Sequence, residues 1–134
     1  ASARELDESL ACLALVGLEP LAFARAGDLP FGQQKLVEVA RAVAARPRLL
    51  LLDEPAAGLN TTEKVEMMAL IRRLRARGIA ILIIEHDMRL VMGVSDRVVV
   101  LDHGEKIAEG TPAEVQRDPA VVQVYLGEDV DAHA

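Results

Sequence analysis

Apolar residues recur along this chain in two rhythms, one helical and one continuous. Leu6, Leu10, Leu13 and Ala14 predict a helix from about Glu5 to Val16, with Gly17 as its C-terminal stop. After an irregular stretch through Gly27-Asp28-Leu29-Pro30, the stripe Leu36, Val39, Ala40 and Val43 predicts an amphipathic helix from Gly32 to Ala45, closed by Arg46-Pro47. The rhythm then changes. Leu49–Leu52 is unbroken leucine, which predicts a strand apolar on both faces, as at the centre of a parallel sheet. Asn60 and Glu63 have the spacing of a capping box, opening a long helix to Arg77 with Met67, Leu70, Ile71 and Leu74 on its core face. Gly78 ends that helix, and Ile79–Ile84 is a second wholly apolar strand. Strand, helix, strand is the crossover unit of a parallel sheet, right-handed by rule.

Shorter elements follow. After Glu85-His86-Asp87 a short helix is expected through Val91 and Met92, and Val98–Leu101 reads as a third apolar strand. His103-Gly104 predicts a turn into Lys106–Ala108. Thr111-Pro112-Ala113-Glu114 opens a helix with a cap and a proline in its first turn. Asp118-Pro119 opens one more, ending near Leu126-Gly127, and the polar tail Glu128–Ala134 is expected to fray. The pattern is α/β, with mainly parallel strands flanked by helices.

Composition narrows the class. At 134 residues the chain is one domain at most, or part of one, and 51% hydrophobic residues suffice for a core. A net charge of -6 and 2% aromatic residues argue against a nucleic-acid binder, which needs a basic face or a stacking platform. The one basic run, Arg72 to Arg77, reads as the solvated end of a helix, where cations complement the dipole. A single cysteine, Cys12, excludes a disulfide framework and reads as a small packing residue. No apolar run reaches membrane-spanning length and the start lacks a signal-peptide layout, so a cytoplasmic location is expected.

Three segments carry chemistry. Asp53 and Glu54 follow the leucine strand, where Pro55 ends ladder pairing. Paired acids at the carboxyl end of a buried strand can hold magnesium and aim water, with strand alternation turning one acid to each task. His86 follows the second apolar strand. If the two strands are neighbours their ends lie only ~5 Å apart, which brings an imidazole near the acids. Leu29-Pro30-Phe31-Gly32-Gln33-Gln34-Lys35 precedes a helix, whose first N–H groups can bind an anion, and Gly32 permits close approach. His103 and His133 read as polar surface.

Taken in order, these segments resemble the ATP-binding subunit of ABC transporters. Leu29-Pro30-Phe31-Gly32-Gln33 resembles the signature motif, Asp53-Glu54 the end of Walker B with its catalytic glutamate, Ala57-Gly58-Leu59-Asn60 the D-loop, and Glu85-His86-Asp87 the switch-histidine segment. Finer details resemble importers of branched-chain amino acids: Phe31-Gly32-Gln33-Gln34, Ala56 to Asn60, Glu85-His86-Asp87-Met88, and the ending from Gly110-Thr111-Pro112 to Tyr125-Leu126-Gly127. The resemblance implies the C-terminal part of a P-loop NTPase domain. Residues 1–46 would be the end of the helical subdomain with its signature helix, and 47–134 would hold Walker B, D-loop, switch histidine and the C-terminal part.

It further implies ATP and Mg2+ as ligands, with Asp53 at the metal, Glu54 and His86 as catalytic residues, and Gly32, Gln33, Gln34 and Asn60 facing nucleotide. The implied partners are a second ABC ATPase subunit, membrane permease subunits and, indirectly, a solute-binding protein. The implied location is the inner face of the cell membrane.

Several positions depart from the family pattern. The signature serine is Pro30, the following glycine is Phe31, and the D-loop aspartate is Asn60, which suits a helix cap. No G-x-x-x-x-G-K-S/T loop occurs, so the chain reads as beginning inside the domain. Strands meant for cover by an upstream half are then expected to leave apolar faces or open edges. Two other readings stay open: an ABC-type ATPase without a transport role, and a module that pairs without chemistry.

Overall fold

The computed structural model describes residues 2–126, which form two compact units, one ending at Ile84 and the other beginning at Glu85. The tail expected to fray, Glu128–Ala134, lies outside the described residues.

In the first unit, helix α1 spans Ala3–Leu15 behind a capping box of Ser2 and Glu5, and the chain turns away at Gly17 with φ +77°. It packs against α2, Phe31–Ala44. Strand β1 (Leu49–Asp53), helix α3 (Thr61–Ala76) and strand β2 (Ala80–Ile84) follow in the predicted order. Helix α3 buries Met67, Leu70, Ile71 and Leu74, the stripe its spacing predicts, together with Met68. Its arginines emerge on the exposed side, and Arg73 donates to the Leu15 carbonyl at 3.2 Å, tying the end of α1 to the last turn of α3. The strands β1 and β2 pair in parallel, from Leu49 opposite Ala80 to Asp53 opposite Ile84.

Neither strand is buried on both faces: their unbroken apolar runs would allow cover on both, and the uncovered apolar face also expected of them is present. Leu50 is buried, but Leu49, Leu51, Leu82 and Ile84 remain 55%, 65%, 55% and 62% exposed. The reason is layer count. Among the described residues β1 and β2 pair only with each other, and one face of the pair is uncovered. A continuous apolar run records how much of a strand can be covered, and here half of that capacity is used.

The second unit holds α4 (Met88–Val94, capped by Asp87) and the antiparallel pair β3 (Val98–Asp102) and β4 (Glu105–Gly110). His103 and Gly104 both take positive φ, 49° and 80°, as in a type I′ turn. A two-residue connection joins only antiparallel neighbours, so among the described residues one pair is antiparallel and the other, β1 and β2, parallel, in a mixed α/β arrangement. Val98, Val100, Val115 and Val121 form the core, with Val91, Met92, Ile107, Ala108 and Tyr125 packed against it. Thr111 and Glu114 form a capping box on α5 (Pro112–Arg117). The last predicted helix divides into α6 (Pro119–Val121) and a π-helical turn (Val122–Leu126), where the Tyr125 hydroxyl donates to the Leu101 carbonyl.

Candidate functional site

The candidate site of the first unit grows from the end of β1. Asp53 closes the strand opposite Ile84, and the ladder continues one bond further, the Glu54 N–H donating to the Ile84 carbonyl at 2.7 Å. Glu54 then turns left-handed, with φ +49°. The Ala57 N–H donates to the Glu54 carbonyl at 3.0 Å and the Leu59 N–H to the Ala56 carbonyl at 3.1 Å. Pro55, Ala56 and Leu59 are buried under this turn while Asp53 and Glu54 are exposed. The two acids therefore do not diverge by simple strand alternation. Glu54 leaves extended geometry, and its direction is set by the left-handed turn.

Helix α2 starts beside that turn. Its N-cap is Pro30, which offers no side-chain acceptor, and no acid lies in its first turn. The Gln34 amide nitrogen donates to the Leu29 and Gly27 carbonyls at 3.0 and 3.3 Å, bracing the loop that feeds the helix. Gln33 is half-buried in the first turn. Gly32 is buried, and a methyl there would collide with the Glu63 carboxylate, so its close approach is made to α3. Phe31 lies against the turn itself: a methyl on Gly58, whose φ is +76°, would fall 2.6 Å from the ring. Lys35, one helical turn on, donates from Nζ to the Glu54 carbonyl at 3.0 Å and stands 5.8 Å from the Phe31 ring centroid.

Helix α3 starts where the same turn ends, with its Glu63 carboxylate against Gly32 of α2. Asn60 Oδ1 accepts from the Glu63 N–H at 2.8 Å, and Glu63 Oε1 accepts from the Asn60 N–H at 3.0 Å. Asn60 is thus the helix cap that its spacing to Glu63 predicts.

His86 lies in the second unit, two residues after Ile84. Glu85 arranges its surroundings: Oε1 accepts from the His86 N–H at 3.0 Å and the Asp87 N–H at 3.3 Å. The Glu85 side chain is 1% exposed and the His86 side chain 72% exposed, with Nδ1 3.6 Å from Oε1. A buried carboxylate therefore shapes the backbone that presents a solvent-exposed imidazole. His103 sits in the hairpin turn, its Nδ1 2.8 Å from Asp102 Oδ1.

The first unit thus gathers Asp53, Glu54, Asn60 and the start of α2 around one turn. Sequence reasoning missed Lys35 and Glu63 as members of that cluster. Glu63 was visible only as a capping residue. A cation early in a helix opposes the dipole, so Lys35 needed a nearby acceptor, and its four-residue spacing from Phe31 was the available signal.

Two family models match the chain. One, described as ABC transporter, covers residues 1–57, and one, described as branched-chain amino acid ATP-binding cassette transporter, covers residues 105–131. The high-affinity branched-chain amino acid transport ATP-binding protein BraF of Pseudomonas aeruginosa is 48% identical over 114 residues, 84% of this chain and 45% of that protein. LivG of Salmonella typhimurium, named for the same transport, is 45% identical over 129 residues, 96% of this chain and 51% of that protein. Among solved structures, the ADP conformation of an ATP-binding cassette of an ABC transporter matches with a TM-score of 0.85 at 34% identity. That match covers 95% of this chain and 52% of the other. The chain spans about half the length of the curated relatives it matches.

Proposed function

The chain belongs to the ATP-binding subunits of ABC transporters, branched-chain amino-acid type, and on that premise we propose that it serves in hydrolysing ATP to drive import of branched-chain amino acids. The observation that carries this reading is the exposed Asp53-Glu54 pair at the end of a parallel strand, beside a helix start without a side-chain cap.

The residues present suit the ligands this implies. Magnesium takes hard oxygen donors and needs just one or two carboxylates, the rest of its shell coming from water and phosphate. Asp53 would hold it, and the bound ion would neutralise charge on the phosphates. Glu54 would orient the attacking water and accept its proton, and His86 would donate to a γ-phosphate oxygen. Gly32, Gln33 and Gln34, together with Asn60, would face nucleotide held mainly by a second ABC ATPase subunit. An uncapped helix start retains N–H donors suited to such an anion. Work at the inner face of the membrane, against permease subunits and through them a solute-binding protein, completes the proposal. No described helix is itself long and apolar enough to cross a membrane.

The test is phosphate release by the complete transporter ATPase carrying this sequence. Glu54→Gln should lower kcat by about 10²–10⁴-fold, the usual value of a general base, with ATP still bound. Turnover at the parent rate in that variant would refute the assignment. The 134-residue chain alone should release negligible phosphate, because it contains no glycine loop with its lysine to cradle the β-phosphate.

A further inference from the structure

The Glu54 backbone is held at both ends. On its amino side the N–H is fixed to Ile84 at 2.7 Å, and on its carboxyl side the carbonyl accepts from the Ala57 N–H at 3.0 Å and from Lys35 Nζ at 3.0 Å. Together these bonds constrain φ and ψ of Glu54, and so the direction in which its Cα–Cβ bond leaves the chain. A non-glycine residue at φ +49° does not stay there by intrinsic preference. Of the three bonds, the one from Lys35 alone comes from α2. Phe31 supports it twice, with its ring against Gly58 of the turn and 5.8 Å beneath the Lys35 ammonium.

We propose that Lys35 is a positioning residue: its bond to the Glu54 carbonyl holds the left-handed peptide that aims the Glu54 carboxylate, and couples that aim to the start of α2. The inference rests on the catalytic role proposed for Glu54 and adds a residue to it. Lys35 touches neither water nor nucleotide in this account; it acts through the peptide. Displacement of the first turns of α2 would therefore release Glu54 from its productive direction, with both acids still in place.

The test uses the complete transporter ATPase. Lys35→Met keeps the stem and removes the donor, and should lower kcat about tenfold, the loss of one hydrogen bond from a charged donor, with KM for ATP changed less than about twofold. Lys35→Arg restores a charged donor and should recover most of the rate. Adding Lys35→Met to Glu54→Gln should cause no further loss, because both changes act through one carboxylate. An unchanged kcat in Lys35→Met, an arginine variant as slow as methionine, or an undiminished further loss in the Glu54→Gln background each overturns the inference. Full turnover in Glu54→Gln alone is a separate result, which removes the catalytic reading of Glu54 and this inference with it.

Discussion

Helices α2 and α3 begin beside one turn and are finished in opposite ways. The α3 start is closed by its own sequence, Asn60 and Glu63 exchanging backbone and side-chain hydrogen bonds. The α2 start has proline as its N-cap, no side-chain bond and no acid in its first turn. Its side chains reach outward instead, Phe31 to Gly58 and Lys35 to the Glu54 carbonyl. A self-capped end contributes stability and shields its donors. An end without a cap gives up that stability and leaves its N–H groups for another acceptor, while neighbouring side chains hold it in place. The difference separates an anchoring helix from a presenting one beside a single turn.

Three measurements probe this division, the first with the largest effect. Gly58→Ala places a side chain at φ +76° and against the Phe31 ring, so urea denaturation should show a loss of about 2 kcal/mol, of which 1–2 is the left-handed penalty. Phe31→Ala in the same chain should return the contact part alone; complete recovery would mean that backbone conformation contributes nothing there. Next, Asn60→Ala should cost about 1 kcal/mol, whereas Pro30→Ala should stay within about 0.5, because no cap bond is lost. Equal costs would erase the distinction between the two helix starts.

The smallest effect lies in the second unit and serves as a reference outside the first. Arg97 donates to Glu109 at 2.5 Å, and that bond, with a weaker one from Lys106, holds the Glu109 carboxyl below its ordinary range. A lowered folded-state value adds stability above the ordinary range and loses it as pH falls through the lowered value. Thermal melts of the parent and of Glu109→Gln should therefore converge in acid, and the gap at neutral pH should be small and shrink with salt. A gap that widens in acid would reverse the sign.

Much of this arrangement was legible in the sequence because it is local. Capping boxes at Asn60 and Thr111, glycine stops after α1 and α3, and the apolar stripe of α3 each depend on residues within a few positions of one another. The parallel pairing of the two apolar strands was also foreseen, including the neighbouring of their ends. What escaped depends on residues far apart in the chain or on the number of layers. The Lys35–Glu54 bond spans 19 residues, and no periodicity announces it. The exposed row Leu49, Leu51, Leu82 and Ile84 shows that apolar content does not say which face is covered. The left-handed backbone of Glu54 escaped because glutamate carries no preference for it; glycine or asparagine would have been the visible sign.

That same backbone sets a trap for protein engineering. Replacing a strained left-handed residue with glycine is a standard route to a more heat-tolerant variant, and Glu54 at φ +49° is the kind of position such a search selects. The gain would be about 1 kcal/mol, and it would delete the carboxylate on which the proposed chemistry depends. Robustness and reactivity compete here for one residue, so a screen scored on melting temperature alone would favour the variants that had lost the site.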